Sequence, residues 1–267
     1  LSFWPVRRTL GMGALAALLL ALVSTTTQAQ VAKQGAAASK SRSLVRYVPG
    51  DGLVVLLDHE GVGSQPAAWK GTAAYKMLNE TALGAMLEDI AVQVADRGLQ
   101  AVPGAPINGK DAVALLSHLG SKGFAFGFCG SFSPPRPQPK AGVFVVRDAA
   151  KNEVFTRVVK RLEAFAKQVD APGERKVWVS EGAPLRWWFE NDDLVISFAP
   201  PGAPDPVIAT LDGSSPSAMK NAGVIALAKA EPGVVPLGLL MVDLAGMPPF
   251  PPDAVRLGLD GVKRLES

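Results

Sequence analysis

The segment ERKVWVSEGAPLRWWFENDDLVISFA, residues 174–199, holds three short runs rich in β-branched and aromatic residues. Gly182-Ala183-Pro184 separates the first two runs, and Asn191-Asp192-Asp193 separates the second and third. Such runs between turn formers read as strands, and connections this short join antiparallel neighbours. The segment is therefore expected to be a three-stranded antiparallel meander, and it commits the chain to a sheet.

Working outward, GFAFGFCGS (123–131) alternates large with small. Phe124, Phe126 and Phe128 point one way; Ala125, Gly127 and Cys129 point the other. AGVFVVRD (141–148) reads as its hairpin partner, joined through the exposed Pro-rich loop FSPPRPQPK at 132–140. NEVFTRVVKRLEAFAKQV (152–169) reads as one amphipathic helix, with Phe155, Val158, Leu162, Phe165 and Val169 as its apolar stripe.

Nearer the front, RYVPGDGLVVLLD (46–58) combines a turn with a buried strand. From Ala67 the period changes to helical. Tyr75, Leu78, Ala82, Met86, Ile90 and Val94 recur at three- and four-residue steps, and Asn79-Glu80-Thr81 is a candidate break, with Thr81 capping a second helix. A short helix is expected over 109–120, another at PDPVIATLDG (204–213), and another around 218–230, before a strand in VVPLGLLMVDLAG (234–246). The order is roughly βααββαβββααβ. This is an α+β domain with a mixed, mainly antiparallel sheet and amphipathic helices packed on it.

The N-terminus reads as a secretory signal over 1–29. Arg7 and Arg8 precede the apolar Gly11–Val23, and Thr27 and Ala29 are the small residues of a cleavage site. The apolar stretch is too short to span a bilayer, so no stable membrane span is expected after cleavage. Residues 30–45, low in bulky apolar residues, read as a flexible basic linker, and 46–267 as a single domain. The closing LGLDGVKRLES reads as the start of another strand, so the domain is expected to continue past Ser267.

The formal net charge of +3 comes from the N-terminal segment before Tyr47. From Tyr47 onward there are 21 basic and 24 acidic residues. A mildly acidic body argues against nucleic acid as a partner. Cys129 is the only cysteine, so no intrachain disulfide forms.

Chemistry is densest at Asp58-His59-Glu60. Alternation on a strand puts Asp58 and Glu60 on one face and His59 on the other, so the three do not converge on one ion. GAPINGK (104–110) has phosphate-loop spacing, but Asp111 stands where Ser or Thr should hold magnesium, and a helix-capping acid is the better reading. Ser217–Lys220 matches S-x-x-K without its partner boxes. Cys129 reads as a buried structural thiol. Trp187 and Trp188 must face opposite ways. One exposed ring could with Trp178 form an aromatic platform for sugars, but ordinary sheet packing of large aromatics is the preferred reading.

YVPGDGLVVLLDHEG (47–61), AAWKGTAAYKMLNETALGAMLEDIA (67–91), AGVFVVRD and DLAGMPPFPPDAVRLGLDGVKRLES (243–267) resemble a family of uncharacterised secreted bacterial proteins of planctomycete type. The resemblance is strongest from Ala68 to Asp89. It implies export and a longer full-length chain, and it carries no activity and no site residue.

These readings lead to an exported, periplasmic or extracellular protein of the cell envelope with a binding, scaffolding or structural role. No catalytic, cofactor-binding or metal-binding residue is assigned. Its partner would be an envelope polymer or another protein. Two alternatives remain. One is a glycosidase-like hydrolase built on carboxylates from separate elements, such as Glu60 with Asp192 or Asp193. The other is an apolar-ligand carrier with a pocket lined by Phe and Leu.

Overall fold

The computed structural model describes residues 43–100, 107–131, 138–200, 202–228 and 237–243. Eight strands form one sheet: β1 (Leu53–His59), β2 (Phe124–Ser131), β3 (Gln138–Val146), β4 (Ala166–Ala171), β5 (Arg175–Ser180), β6 (Leu185–Glu190), β7 (Asp193–Phe198) and β8 (Gly238–Val242). Their spatial order is β4-β5-β6-β7-β3-β2-β1-β8. Every pairing among the described residues is antiparallel, so the parallel component expected of a mixed sheet is not found there. Seven α-helices accompany it among the described residues: α1 (Pro66–Lys70), α2 (Ala73–Asn79), α3 (Ala82–Gln100), α4 (Gly109–Lys122), α5 (Glu153–Glu163), α6 (Pro206–Leu211) and α7 (Ala222–Ala228). The domain is α+β, as the alternation of periods 2 and 3.6 predicts.

The small face of β2 explains how the first residues pack. Ala125, Gly127 and Cys129 leave room on one side of the sheet, and the 3-10 turn Leu44–Tyr47 with Val48 fills it. Leu44 and Tyr47 are fully buried there, so the packed body starts ahead of the expected linker boundary at residue 45. α6, Ala218 and Val224 of α7 complete this layer over Val143, Val195 and Trp188. On the opposite face, Leu115 and Leu119 of α4 and Phe155 and Val159 of α5 cover Val146, Leu194 and Trp187. Helices thus lie on both faces of the sheet.

Two expectations fail for one reason, which is that tertiary pairing outweighs local period. The helix read over 152–169 stops at Glu163, and residues 166–171 form the edge strand β4. The Pro172-Gly173-Glu174 turn lays them against β5 with Ala171 opposite Arg175. An edge that would otherwise present a bare hydrogen-bonding row gains a ladder. Phe165, expected in the apolar stripe, is left 76% exposed. The helix expected around 218–230 is divided into a 3-10 turn at Ala218–Lys220 and α7.

The paired tryptophans follow the preferred reading, ordinary sheet packing. Trp187 and Trp188 do face opposite sides, but both are buried, at 4% and 1% exposure, because each side of the sheet is covered. Trp178 is half-buried beside them. The tip of the Pro-rich loop, residues 132–137, and the first part of the phosphate-loop-like segment, residues 104–106, lie outside the described residues.

Candidate functional site

β1 carries its apolar run into Asp58 and His59, and alternation holds to the end of the strand. Asp58 lies opposite Ala125 on β2, which in turn lies opposite Val145 on β3, so the carboxyl sits at the end of a buried apolar row. Asp58 is 6% exposed, and its Oδ1 has no hydrogen-bond partner among the described residues. Burial, and secondarily the negative charge of Glu60, push its carboxyl up to about 7, with Arg147 opposing. Glu60 itself is held by Arg147 at 3.0 Å.

His59 turns to the other face. Its Nε2 lies 3.2 Å from the Gly120 carbonyl at the end of α4, and its ring packs 5.6 Å from that of Phe124. The three neighbours in sequence therefore go to three places, as alternation and burial dictate.

The second histidine is a structural tie. The Asn152 side chain caps α5, its Oδ1 accepting from the Val154 and Phe155 amides at 2.9 and 3.2 Å. That orients Nδ2 toward His118 Nδ1, 3.1 Å away. The network assigns the Nε2–H tautomer, which donates to the Arg147 carbonyl at 2.8 Å. His118 thus joins α4 to the β3–α5 connection, and its ring meets Phe155 edge-on. His118→Ala is expected to lower stability by about 2–3 kcal/mol, through two lost buried hydrogen bonds and a cavity. A thermal melt checks this, and an unchanged melting temperature would refute the tie.

The carboxylates proposed for a hydrolase are each engaged separately. Asp192 pairs with Lys151 at 2.8 Å. Asp193 accepts from the Tyr47 hydroxyl at 2.8 Å and from the Asp148 amide at 3.1 Å, with Arg46 at 3.4 Å. This clasp fastens the 3-10 turn Leu44–Tyr47 to the start of β7. Burial raises the Tyr47 phenol well above its ordinary value, against the hydrogen bond from Arg46. Glu60, Asp192 and Asp193 therefore serve three separate ion pairs.

The weaker motifs also resolve into local structure. Asn108 and Asp111 form a capping box at the start of α4, and Arg157 of α5 pairs with Asp111. Ser217 precedes the short 3-10 turn that ends at Lys220, its backbone carbonyl accepting from the Lys220 amide at 2.9 Å. Cys129 is 2% exposed, with its thiol directed at the Pro49 carbonyl, and burial pushes it up to about 12. A thiol held protonated is a poor nucleophile.

The two best-formed clefts among the described residues are polar-rimmed. One, of about 430 Å³, lies where β5 and β6 diverge beyond the Trp178–Trp187 pair, with Arg175 bridging to Glu190 at 2.7 Å. The other, of about 480 Å³, is lined by Arg46, Ser214, Ser215 and Lys220 among others. The first also holds Trp178, Trp187, Trp188 and Phe189 among its charged residues, and the second holds Leu211 alone among large apolar side chains, so neither is the Phe- and Leu-lined pocket an apolar-ligand carrier needs.

The most unusual surface is the helical arm α1–α3. The break at Asn79-Glu80-Thr81 is where sequence places it, and the Thr81 hydroxyl accepts from the Leu83 amide at 3.2 Å. Gly84 makes the turn possible, since a Cβ there would lie 1.7 Å from the Leu78 carbonyl oxygen. α3 packs on α2 and α4 through its half-buried side, which includes Val92, Ala95 and Leu99. The expected stripe is on the other side and is bare. Met77, Leu78, Met86, Leu87, Ile90 and Val94 are between 38% and 59% exposed, and no residue of the arm is buried. Periodicity locates this stripe but cannot say whether anything lies on it. α3 is apolar on two opposite faces, and one alone is used within the fold.

Compared with protein-family models, curated proteins and solved structures, the chain matches none. No helix among the described residues is long and apolar enough to cross a membrane.

Proposed function

We propose that this is an exported envelope protein that binds rather than catalyses, and that the α1–α3 arm is its docking surface. The observation carrying the reading is the bare stripe of Met86, Ile90 and Val94 with its flanking residues. A stable domain seldom leaves so many large apolar side chains side by side in water unless something covers them. The signal-like N-terminus and the resemblance to secreted bacterial proteins support the location. The separate pairing of Glu60, Asp192 and Asp193 favours binding over a carboxylate hydrolase.

A photo-crosslinking amino acid at position 90, in the full chain as exported by its host, tests this. The expected result is one discrete adduct, absent when the same group sits at Lys160 on the exposed side of α5. No adduct at position 90, or the same smear at both positions, would end the docking reading.

A further inference from the structure

We infer that the cleft lined by Arg46, Lys220 and the serines of the loop DGSSPS (212–217) is a binding site for a phosphate ester. It shares no residue with the α1–α3 arm and does not rest on the docking role. Two cations, three serines and Thr210 line it, and among the described residues no carboxylate does. The chain from Tyr47 onward holds 21 basic and 24 acidic residues, so a cleft with cations and no acid departs from its surroundings.

The loop is built in place. Gly213, at φ +77°, turns the chain back at the end of α6. Its amide donates to the Thr210 carbonyl at 3.2 Å, and the Ser215 amide and Ser214 hydroxyl donate to the Ala209 carbonyl at 3.1 and 2.9 Å. These bonds occupy carbonyls at the helix C-terminus that would otherwise repel an anion. The Pro216 carbonyl accepts from the Gly50 amide at 2.8 Å, and the Ala218 amide donates to the Val48 carbonyl at 2.7 Å, so the loop is also pinned to the segment ahead of β1.

The donors left over belong to the cleft. The Ser215 and Ser217 hydroxyls are on half-buried residues and make no hydrogen bond among the described residues. Lys220 is exposed and pairs with no acid among them. Arg46 lies 4.5 Å over the Tyr47 ring and spends Nη2 on the Tyr47 hydroxyl and Asp193, which leaves Nε and Nη1. Asp212, the acid that opens the loop, is committed to Arg175 at 2.6 Å. An ammonium, part of a guanidinium and two hydroxyls suit a tetrahedral oxyanion with several acceptor oxygens. The cleft, of about 480 Å³, falls in the range of about 300–1,000 Å³ that holds small organic ligands, so the phosphate is expected to carry an organic group. The same reading gives Ser217 and Lys220 a shared use. Acyl transfer by S-x-x-K needs a base within hydrogen-bond reach of the serine, and no such bond is made here.

The test is phosphorus NMR of glycerol phosphate titrated against the full chain, up to roughly 10 mM ester so that a millimolar dissociation constant is reached. The wild type is expected to bind saturably, with displacement by inorganic phosphate and no binding of glycerol. Lys220→Glu is expected to weaken binding about tenfold or more with an unchanged melting curve, and Ser215→Ala with Ser217→Ala by about tenfold. Lys160→Glu, the same charge change on the exposed side of α5, is expected to stay within about twofold, because salt screens distant charges. Vesicles distinguish the source of the ester. Co-sedimentation with phosphatidylglycerol but not phosphatidylcholine, lost in Lys220→Glu, would place the ester on a lipid headgroup. Binding of glycerol phosphate without vesicle binding would place it on a free ligand. A wild type that binds neither would overturn the proposal. So would equal losses in Lys220→Glu and Lys160→Glu, glycerol binding as well as its phosphate, or no displacement by inorganic phosphate. Each of these outcomes leaves the crosslinking result at position 90 untouched.

Discussion

Asp58→Asn is expected to raise the melting temperature by about 5–10 °C near pH 8 and to leave it almost unchanged near pH 4. The carboxyl is buried at the end of an apolar row with one oxygen unpartnered, and it titrates at about 7 instead of the ordinary 3.8. The unfolded chain releases this proton near 3.8, whereas the folded chain keeps it until about 7. Between those values the folded state holds more protons than the unfolded state, so stability falls as pH rises. The contribution is greatest below about pH 4 and is fully lost above about pH 7, where the folded chain must bury a charge beside Glu60. The interval corresponds to about 2–4 kcal/mol. Asn imitates the protonated acid at every pH, so the difference between the two melting curves isolates this one group. Parallel curves from pH 4 to pH 8 would show that Asp58 ionises without penalty.

The second large effect is expected at Gly127. Its absent side chain is the floor on which the turn Leu44–Tyr47 and Val48 rest, and a Cβ there would lie 2.3 Å from Val48 Cγ1 and 3.2 Å from Val143 Cγ1. Val48 is fully buried and β-branched, so it has little rotamer freedom with which to yield. Gly127→Val is expected to destabilise the domain by about 3 kcal/mol through overpacking. Because Tyr47 adjoins Val48 and donates to Asp193, the strain should also loosen that clasp. Chemical denaturation gives the stability, and hydrogen exchange at residues 44–48 shows whether the turn has lifted. A variant as stable as the parent would mean that the turn does not rest on β2.

The arm and the Asp58 cluster differ in how far sequence could reveal them. The stripe through Met86, Ile90 and Val94 is legible from its three- and four-residue spacing, but a stripe facing a core and one facing water have the same spacing. Only the position of α4, on the opposite side of α3, leaves it open. At Asp58 the opposing directions of Asp58 and His59 follow from strand alternation. The raised carboxyl does not follow, because it depends on Ala125 and Val145, brought alongside by β2 and β3. The Asn152–His118 tie joins residues 34 apart in sequence, and no local pattern announces it.

By itself, the sequence determined the class of the domain. Alternation in 174–199 and 123–148 specifies antiparallel strands, helical periods specify most of the helices, and Thr81 specifies where one of them begins. Tertiary structure decided what those elements face. It turned 166–171 from helix to edge strand because β5 could pair with it. It buried both Trp187 and Trp188 because helices or turns lie on each side of the sheet. It left the α3 stripe bare because α4 takes the opposite side. Period and propensity are local quantities, whereas burial is set by which other segments arrive, and at α3 that difference separates a core helix from a docking surface.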